Sequence, residues 1–294
     1  ISKQSAVPPF IMPARVAATP PSETITEYVG SGPFVFNEDE YEPGVSVTYE
    51  KFDDYIPAGG EVSWMAGPKE VKVDRVVWTT MPDNLTAINA LVAGEIDYIE
   101  QVSIDLLPIL ESSPDVAVEI RDPLGYVTIG RPNHLHPPFD NKLVRQAAMD
   151  ALSQENMLAT MQGNPEYYNI CGAVFGCATP LGDEVGSEML TGGADIEAAK
   201  AKLEEAGYDG TPIVLMAPTD VVSLMNQPVV AAQALREAGF EVDMQAMDWQ
   251  SVVQRRAQQN AIDDGGWNMF FTNWMVPEIS DPLINVMLNG RGDD

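Results

Sequence analysis

DIEAAKAKLEEAGYDGTPIVLMAPTDVVSLMNQPVVAAQALREAGFEVDMQAM, residues 195–247, decides the fold. Asp195 has a side-chain oxygen suited to an N-cap, and Ile196, Ala199 and Leu203 recur at helical spacing until Gly207 stops the run. Pro212 to Met216 reads as a strand. Pro228 opens a second helix, where its missing N–H costs nothing, and Gly239 ends it. Val242 to Met247 is the next strand. The order helix, Ala-Gly, strand thus occurs twice, in Glu-Glu-Ala-Gly-Tyr (204–208) and Arg-Glu-Ala-Gly-Phe (236–240). This is the self-similarity of α/β units and not of a solenoid. Beyond it, Asp248 caps a helix from Trp249 to Gln259, and Asn268 to Trp274 is a last strand.

Working toward the N-terminus, Asp140 is expected to cap a helix that buries Val144, Ala147, Ala148 and Ala151. A loop of about forty residues follows, a length that is uncommon without a functional or stapling reason. Val116 to Ile120 and Tyr126 to Ile129 read as extended segments. They flank Asp122-Pro123-Leu124-Gly125, where the chain is expected to cross between lobes. Val73 to Thr79, a helix over residues 85–92 capped by Asp83 and stopped by Gly94, and Ile96 to Ile99 read as a β-α-β unit. Gly30 to Phe36 leads into a strand, and Val45 to Tyr49 alternates with period two. The proline-rich opening, with Pro8, Pro9, Pro13, Pro20 and Pro21, reads as an irregular connector.

The chain has 294 residues, enough for two domains or lobes with a sizeable core. Its 16 Lys and Arg against 44 Asp and Glu leave a net charge of −28. Such a surface repels phosphate backbones and anionic headgroups, so nucleic-acid and membrane-surface roles are excluded. Solubility in a salty compartment, or attraction of cationic solutes, remains. No apolar run approaches the roughly 18 residues of a membrane span. The chain opens at Ile1 without Met, or any charged and then apolar leader, and reads as an excerpt of a longer protein.

The two cysteines, Cys171 and Cys177, stand in Cys-Gly-Ala-Val-Phe-Gly-Cys, whose glycines allow the turns of a small ring. A disulfide, with the oxidising compartment it implies, is the expectation; two buried free thiols are the alternative. Zinc would want further ligands, and the histidines, His134 and His136, are distant in sequence. His134-Leu135-His136 has no evident third ligand and prolines follow it, so no metal or other cofactor is expected. No nucleophile elbow, phosphate loop or dinucleotide glycine pattern is present, and an enzyme is not expected.

Several stretches, in order, resemble the family 5 extracellular solute-binding proteins, the dipeptide-, oligopeptide- and nickel-binding components of ABC importers. They are Gly30-Ser31-Gly32-Pro33-Phe34 with Pro43-Gly44, and Tyr49 to Tyr55. Val73 to Trp78 follows, with Pro82-Asp83 and Ala90 to Asp97, then Pro138 to Asn141 with Val144 to Ala147. The resemblance runs from about Gly30 to Asn285. It implies a two-lobed α/β fold of the periplasmic-binding-protein type (type II, cluster C-like), with lobe I incomplete and lobe II nearly whole. The expected division is a remainder of lobe I over 1–117, interlobe strands over 118–131 and lobe II over 132–294. The implied function is capture of a peptide or peptide-like, amine-bearing solute by cleft closure. Delivery would be to a permease in the inner membrane, from a periplasmic or membrane-tethered, monomeric receptor. Another solute (nickel chelate, sugar or opine), or less readily an enzyme on this scaffold, is the alternative.

By position, Glu278 corresponds to the acidic residue that holds a ligand amino terminus in dipeptide-binding relatives; a solvated loop Glu is the competing reading. A desolvated ammonium needs such a charge-assisted hydrogen bond. Trp274 is an apolar or cation–π wall, or a core Trp at a strand end. Thr219 and Asp220 stand where those relatives carry an Arg for the ligand carboxylate, which tilts the pocket toward cationic or amine-bearing solutes, unless Asp220 is a helix cap. Asn133 sits where the family often has Asn at the interlobe strand, with backbone pairing as its other reading.

Overall fold

A computed structural model describes residues 11–20, 22–62 and 67–280. Pro8, Pro9 and Pro21 of the expected connector, Asp281 and Pro282 of the expected ligand loop, and Asn285 fall outside them. The chain divides into two compact units between Asp83 and Asn84.

The first unit holds a short helix α1 (Ala14–Ala17) and an antiparallel sheet in the order β1 (Phe34–Glu42), β2 (Ser46–Lys51), β3 (Arg75–Thr79). Phe36 opposes Tyr49, which opposes Val76, so one sheet face is apolar. Tyr28, Tyr41 and Tyr49 all pack their rings on Phe36.

The second unit begins with α2 (Asn84–Val92) and α3 (Leu107–Glu111), and Gly94 takes φ +72° just beyond α2. The expected strand at Ile96 to Ile99 does not form, and with it goes the β-α-β unit, while the segment Val116 to Ile120, read as extended, joins no sheet. Neither segment has a partner strand among the described residues, and β3 pairs only in its antiparallel sheet. A strand without a neighbour leaves its ladder groups unsatisfied.

A four-stranded sheet follows, ordered β4 (Tyr126–Pro132), β7 (Met269–Met275), β5 (Ile213–Pro218), β6 (Val242–Met247). β4 runs antiparallel to β7, while β5 runs parallel to β7 and β6. The helices are α4 (Lys142–Ala151), α5 (Gln154–Gln162), α6 (Glu188–Thr191), α7 (Ile196–Glu205), α8 (Gln227–Glu237), α9 (Trp249–Arg256) and α10 (Val276–Ile279). Asp195 and Asp248 cap α7 and α9 as expected. The cap of α4 is Asn141 rather than Asp140, because the Asn141 side chain accepts the Leu143 N–H. The expected long loop carries α5, begun by a Ser153 cap, and α6.

Every residue of β5 is buried, as a central strand covered on both faces requires. Alternation sends Ile213, Leu215, Met269 and Phe271 to a core shared with α4, α7 and α8. Met216 and Phe270 go to a second cluster with Val252 of α9 and Trp267.

Candidate functional site

β5 and β7 are parallel neighbours with Leu215 beside Met269, so their carboxyl ends lie at one edge of the sheet. In α/β sheets this is the edge where ligands bind, because the strands end there and the loops splay outward. Thr219, Asp220, Trp274 and Glu278 all fall on it, at the end of β5 or β7.

Each of them also has a local duty. Thr219 prolongs the β5–β6 ladder, its N–H donating to the Met247 carbonyl at 3.0 Å. Exposed Asp220 accepts the Trp249 N–H at 2.7 Å and so helps to start α9. Glu278 accepts the Met275 N–H at 3.1 Å with Oε2, tying the first turn of α10 back to the end of β7. Half-buried Trp274 lies opposite Val127 of β4, on the same sheet face as Phe270 and α9.

On the other face, sequence reasoning missed a polar network. Asn273 accepts from the Thr128 hydroxyl at 2.9 Å and donates to the Ser223 carbonyl at 3.1 Å. Gln227, fully buried at the start of α8, donates to the same Ser223 carbonyl at 2.6 Å. Together they fix the loop between β5 and α8 to the end of β7. The amphipathic spacing of α8 gives no hint of this, since only tertiary contact brings Thr128 and Asn273 to Ser223 and Gln227.

Three buried side-chain polar atoms have no partner among the described residues: Asp122 Oδ2, Gln227 Oε1 and Trp274 Nε1. All belong to this edge. Asp122 starts the turn whose Gly125 carbonyl accepts the Val276 N–H at 3.1 Å, and Gln227 is held beside Asn273. A buried polar atom without a partner costs about 1–3 kcal/mol, so spare hydrogen-bonding capacity gathered at one edge marks a place for a polar ligand or water.

Asn133 is not brought to this edge. It lies past Pro132, which pairs with Met269 at the far end of β7, six residues from the partner of Trp274 and so about 20 Å away. Its buried side chain donates to the Trp267 carbonyl at 2.9 Å and accepts the Leu135 N–H at 3.0 Å. His136 Nε2 stands 3.0 Å from the Gln259 carbonyl. Burial, with the Arg145 and Arg131 cations, holds the His134 imidazole below its ordinary pKa. Among the described residues the one cluster of metal-ligating type is Cys171, Cys177 and Glu184. Its sulfurs are bonded to each other in the expected disulfide, with Cα atoms 5.9 Å apart, and so are spent as ligands.

The sequence profile of the bacterial extracellular solute-binding proteins, family 5 (middle), matches residues 2–292. A probable peptide ABC transporter periplasmic-binding protein of Sinorhizobium fredii is 38% identical over 287 residues, covering 97% of this chain and 54% of the relative. Among solved structures, a dipeptide-binding protein from a Pseudoalteromonas species, in complex with Met-Leu, has TM-score 0.67 at 23% identity, covering 87% of this chain and 46% of that one. The agropinic-acid complex of AgaA from A. tumefaciens has TM-score 0.64 at 24% identity, covering 85% and 46%. These two likenesses concern the fold. The chain spans about half the length of the relatives it matches.

Proposed function

Since the chain belongs to the bacterial extracellular solute-binding proteins of family 5, we propose that it is the solute-capturing part of an ABC importer, taking a peptide or other amine-bearing solute at the carboxyl edge of its four-stranded sheet. The observation that carries this reading is the gathering there of Trp274, Glu278 and Asp220 with the three unpartnered polar atoms. The carboxylates and the Asp122 and Gln227 oxygens accept, whereas the Trp274 indole donates. A ligand richer in donors than acceptors fits that set, and an ammonium group is the strongest such donor.

Under this reading residues 1–117 belong to the first lobe, 118–131, whose one strand is β4, to the passage between lobes, and 132–294 to the second lobe. Ligand binding stabilises a closed form by as much as its affinities for the two forms differ. The protein works outside the cytoplasm as a monomer, handing solute to a membrane permease. It is a receptor and performs no chemistry on its cargo.

The test is calorimetric titration of the whole protein with Ala-Leu and with N-acetyl-Ala-Leu. The free dipeptide should bind one to one without turnover, and acetylation, which removes the cationic donor, should weaken binding by about tenfold or more. Equal affinities would remove the amine from the recognition scheme, and release of free amino acids would make the protein an enzyme.

A further inference from the structure

The ring closed by Cys171 and Cys177 lies against the turn that carries Glu278. Gly176 within it has φ +83°, and a Cβ placed there would stand 2.7 Å from Val276 Cγ1 and 3.4 Å from Cγ2. Val276, buried to 5% exposure, is the first residue of α10, two before Glu278 and two after Trp274. The fit is therefore closed to one added methyl, at a position whose backbone already disfavours any side chain.

The opposite side of the ring is anchored. Gln154 of α5 donates to the Cys171 carbonyl at 2.9 Å and accepts the Cys171 N–H at 3.0 Å. Glu184 accepts the Gly172 N–H at 3.0 Å. Within the ring, the Cys177 N–H points to Cys171 Sγ at 3.1 Å, and the Gly176 N–H donates to the Ala173 carbonyl at 3.0 Å. Behind it, the Thr179 hydroxyl is 3.0 Å from both the Phe175 and Gly176 carbonyls. A five-residue bridge so tied cannot yield without moving α5 or breaking its own bonds.

α10 needs such a brace. It is a single turn, held at its start by the Gly125 carbonyl on the Val276 N–H and by Glu278 on the Met275 N–H. One turn of helix has no stability of its own, so its position is set by what packs on it. We propose that the Cys171–Cys177 ring is a positioning device for the ligand edge: through Gly176 against Val276 it sets where the Glu278 carboxylate and the Trp274 indole stand. This rests on the reading of that edge as the ligand site.

Four variants of the whole protein test it: C171S/C177S, G176A, V276A and G176A/V276A. Amide hydrogen exchange over residues 275–279 reads the brace without ligand, titration with Ala-Leu reads its consequence, and denaturant unfolding reads global stability. C171S/C177S and G176A should each speed exchange at 275–279 by about tenfold, the lower end of what overpacking or unstapling a filled contact costs. Both should weaken the dipeptide. In G176A/V276A, removal of the two Val276 methyls relieves the overlap, so loosening should be smaller than the sum of the separate G176A and V276A effects. Lowered global stability with 275–279 as protected as in the parent, or additive loosening in the double variant, overturns the proposal. Faster exchange at 275–279 with no dipeptide binding even in the parent would uphold the brace and sink the functional reading instead.

Discussion

Glu278 holds the Met275 N–H with one carboxylate oxygen and presents negative charge at the sheet edge with the same group. Glu278→Gln separates the two duties, because the amide oxygen can still accept that N–H. The variant should unfold like the parent yet bind an amine-bearing dipeptide about tenfold or more weakly, the usual worth of a hydrogen bond to a charged group. Unchanged affinity by titration would leave Glu278 a cap alone. Gln227 makes the opposite case. Its side chain is fully buried on the Ser223 carbonyl, which keeps Asn273 as a second donor, so Gln227→Leu should cost about 0.5–1.5 kcal/mol in denaturant unfolding, the worth of one hydrogen bond. That Glu278, Trp274 and Asp220 stand at the carboxyl ends of β5 and β7 was legible in the sequence, because the ends of those strands can be read. Gln227, Asn273 and Thr128 were not, since side chains up to 145 residues apart meet only in the fold. For Asn133 the sequence left two readings, ligand contact or backbone pairing, because an amide side chain that suits a ligand suits the Trp267 carbonyl equally well; its side chain is on that carbonyl.

Strand β5 was legible because its six buried residues form one apolar run between a helix stopped at Gly207 and a loop. Ile96 to Ile99, Ile-Asp-Tyr-Ile, is short and broken by an acid and forms no strand, because local pattern says nothing about whether a partner will be beside it. At this scale Leu215→Ala, at a position with 0% exposure in the core shared with α4 and α8, should cost about 2–5 kcal/mol and reduce the denaturant midpoint without directly touching the carboxyl edge of the sheet. Helix α9 has a pH dependence of its own. The Ser251 hydroxyl and amide N–H hold the Asp248 carboxyl below its ordinary range. The folded state thus binds that proton less readily than the unfolded chain. The stabilisation is present above the ordinary carboxylate pKa and is lost as pH falls through the lowered one. The acid limb of the melting temperature should be shallower in Asp248→Asn, which keeps a capping oxygen but has nothing to titrate. Identical acid limbs in melts of the two proteins would show that other carboxylates govern it.

The net charge of −28 is a property of the whole chain, and two consequences follow with opposite dependence on salt. Like charges repel across the folded surface more than along an expanded chain, so screening should raise the melting temperature as sodium chloride increases. The ion pairs, such as Arg75 with Glu40 and Lys200 with Glu197, are exposed and contribute little to set against this, about 0–1 kcal/mol each. The same field draws in cations and repels anions, with a reach of about 30 Å at 0.01 M salt that shrinks to about 3 Å at 1 M. If the acidic surface serves capture as well as solubility, stopped-flow association of a lysine-bearing dipeptide should outpace that of a glutamate-bearing one at low salt, by about tenfold, and the ratio should fall toward one as salt rises. The dissociation rates, set by contacts at the sheet edge, should change far less. An association ratio that ignores salt would confine the acidic surface to solubility and place selection among solutes wholly in Trp274, Glu278, Asp220 and the groups around them.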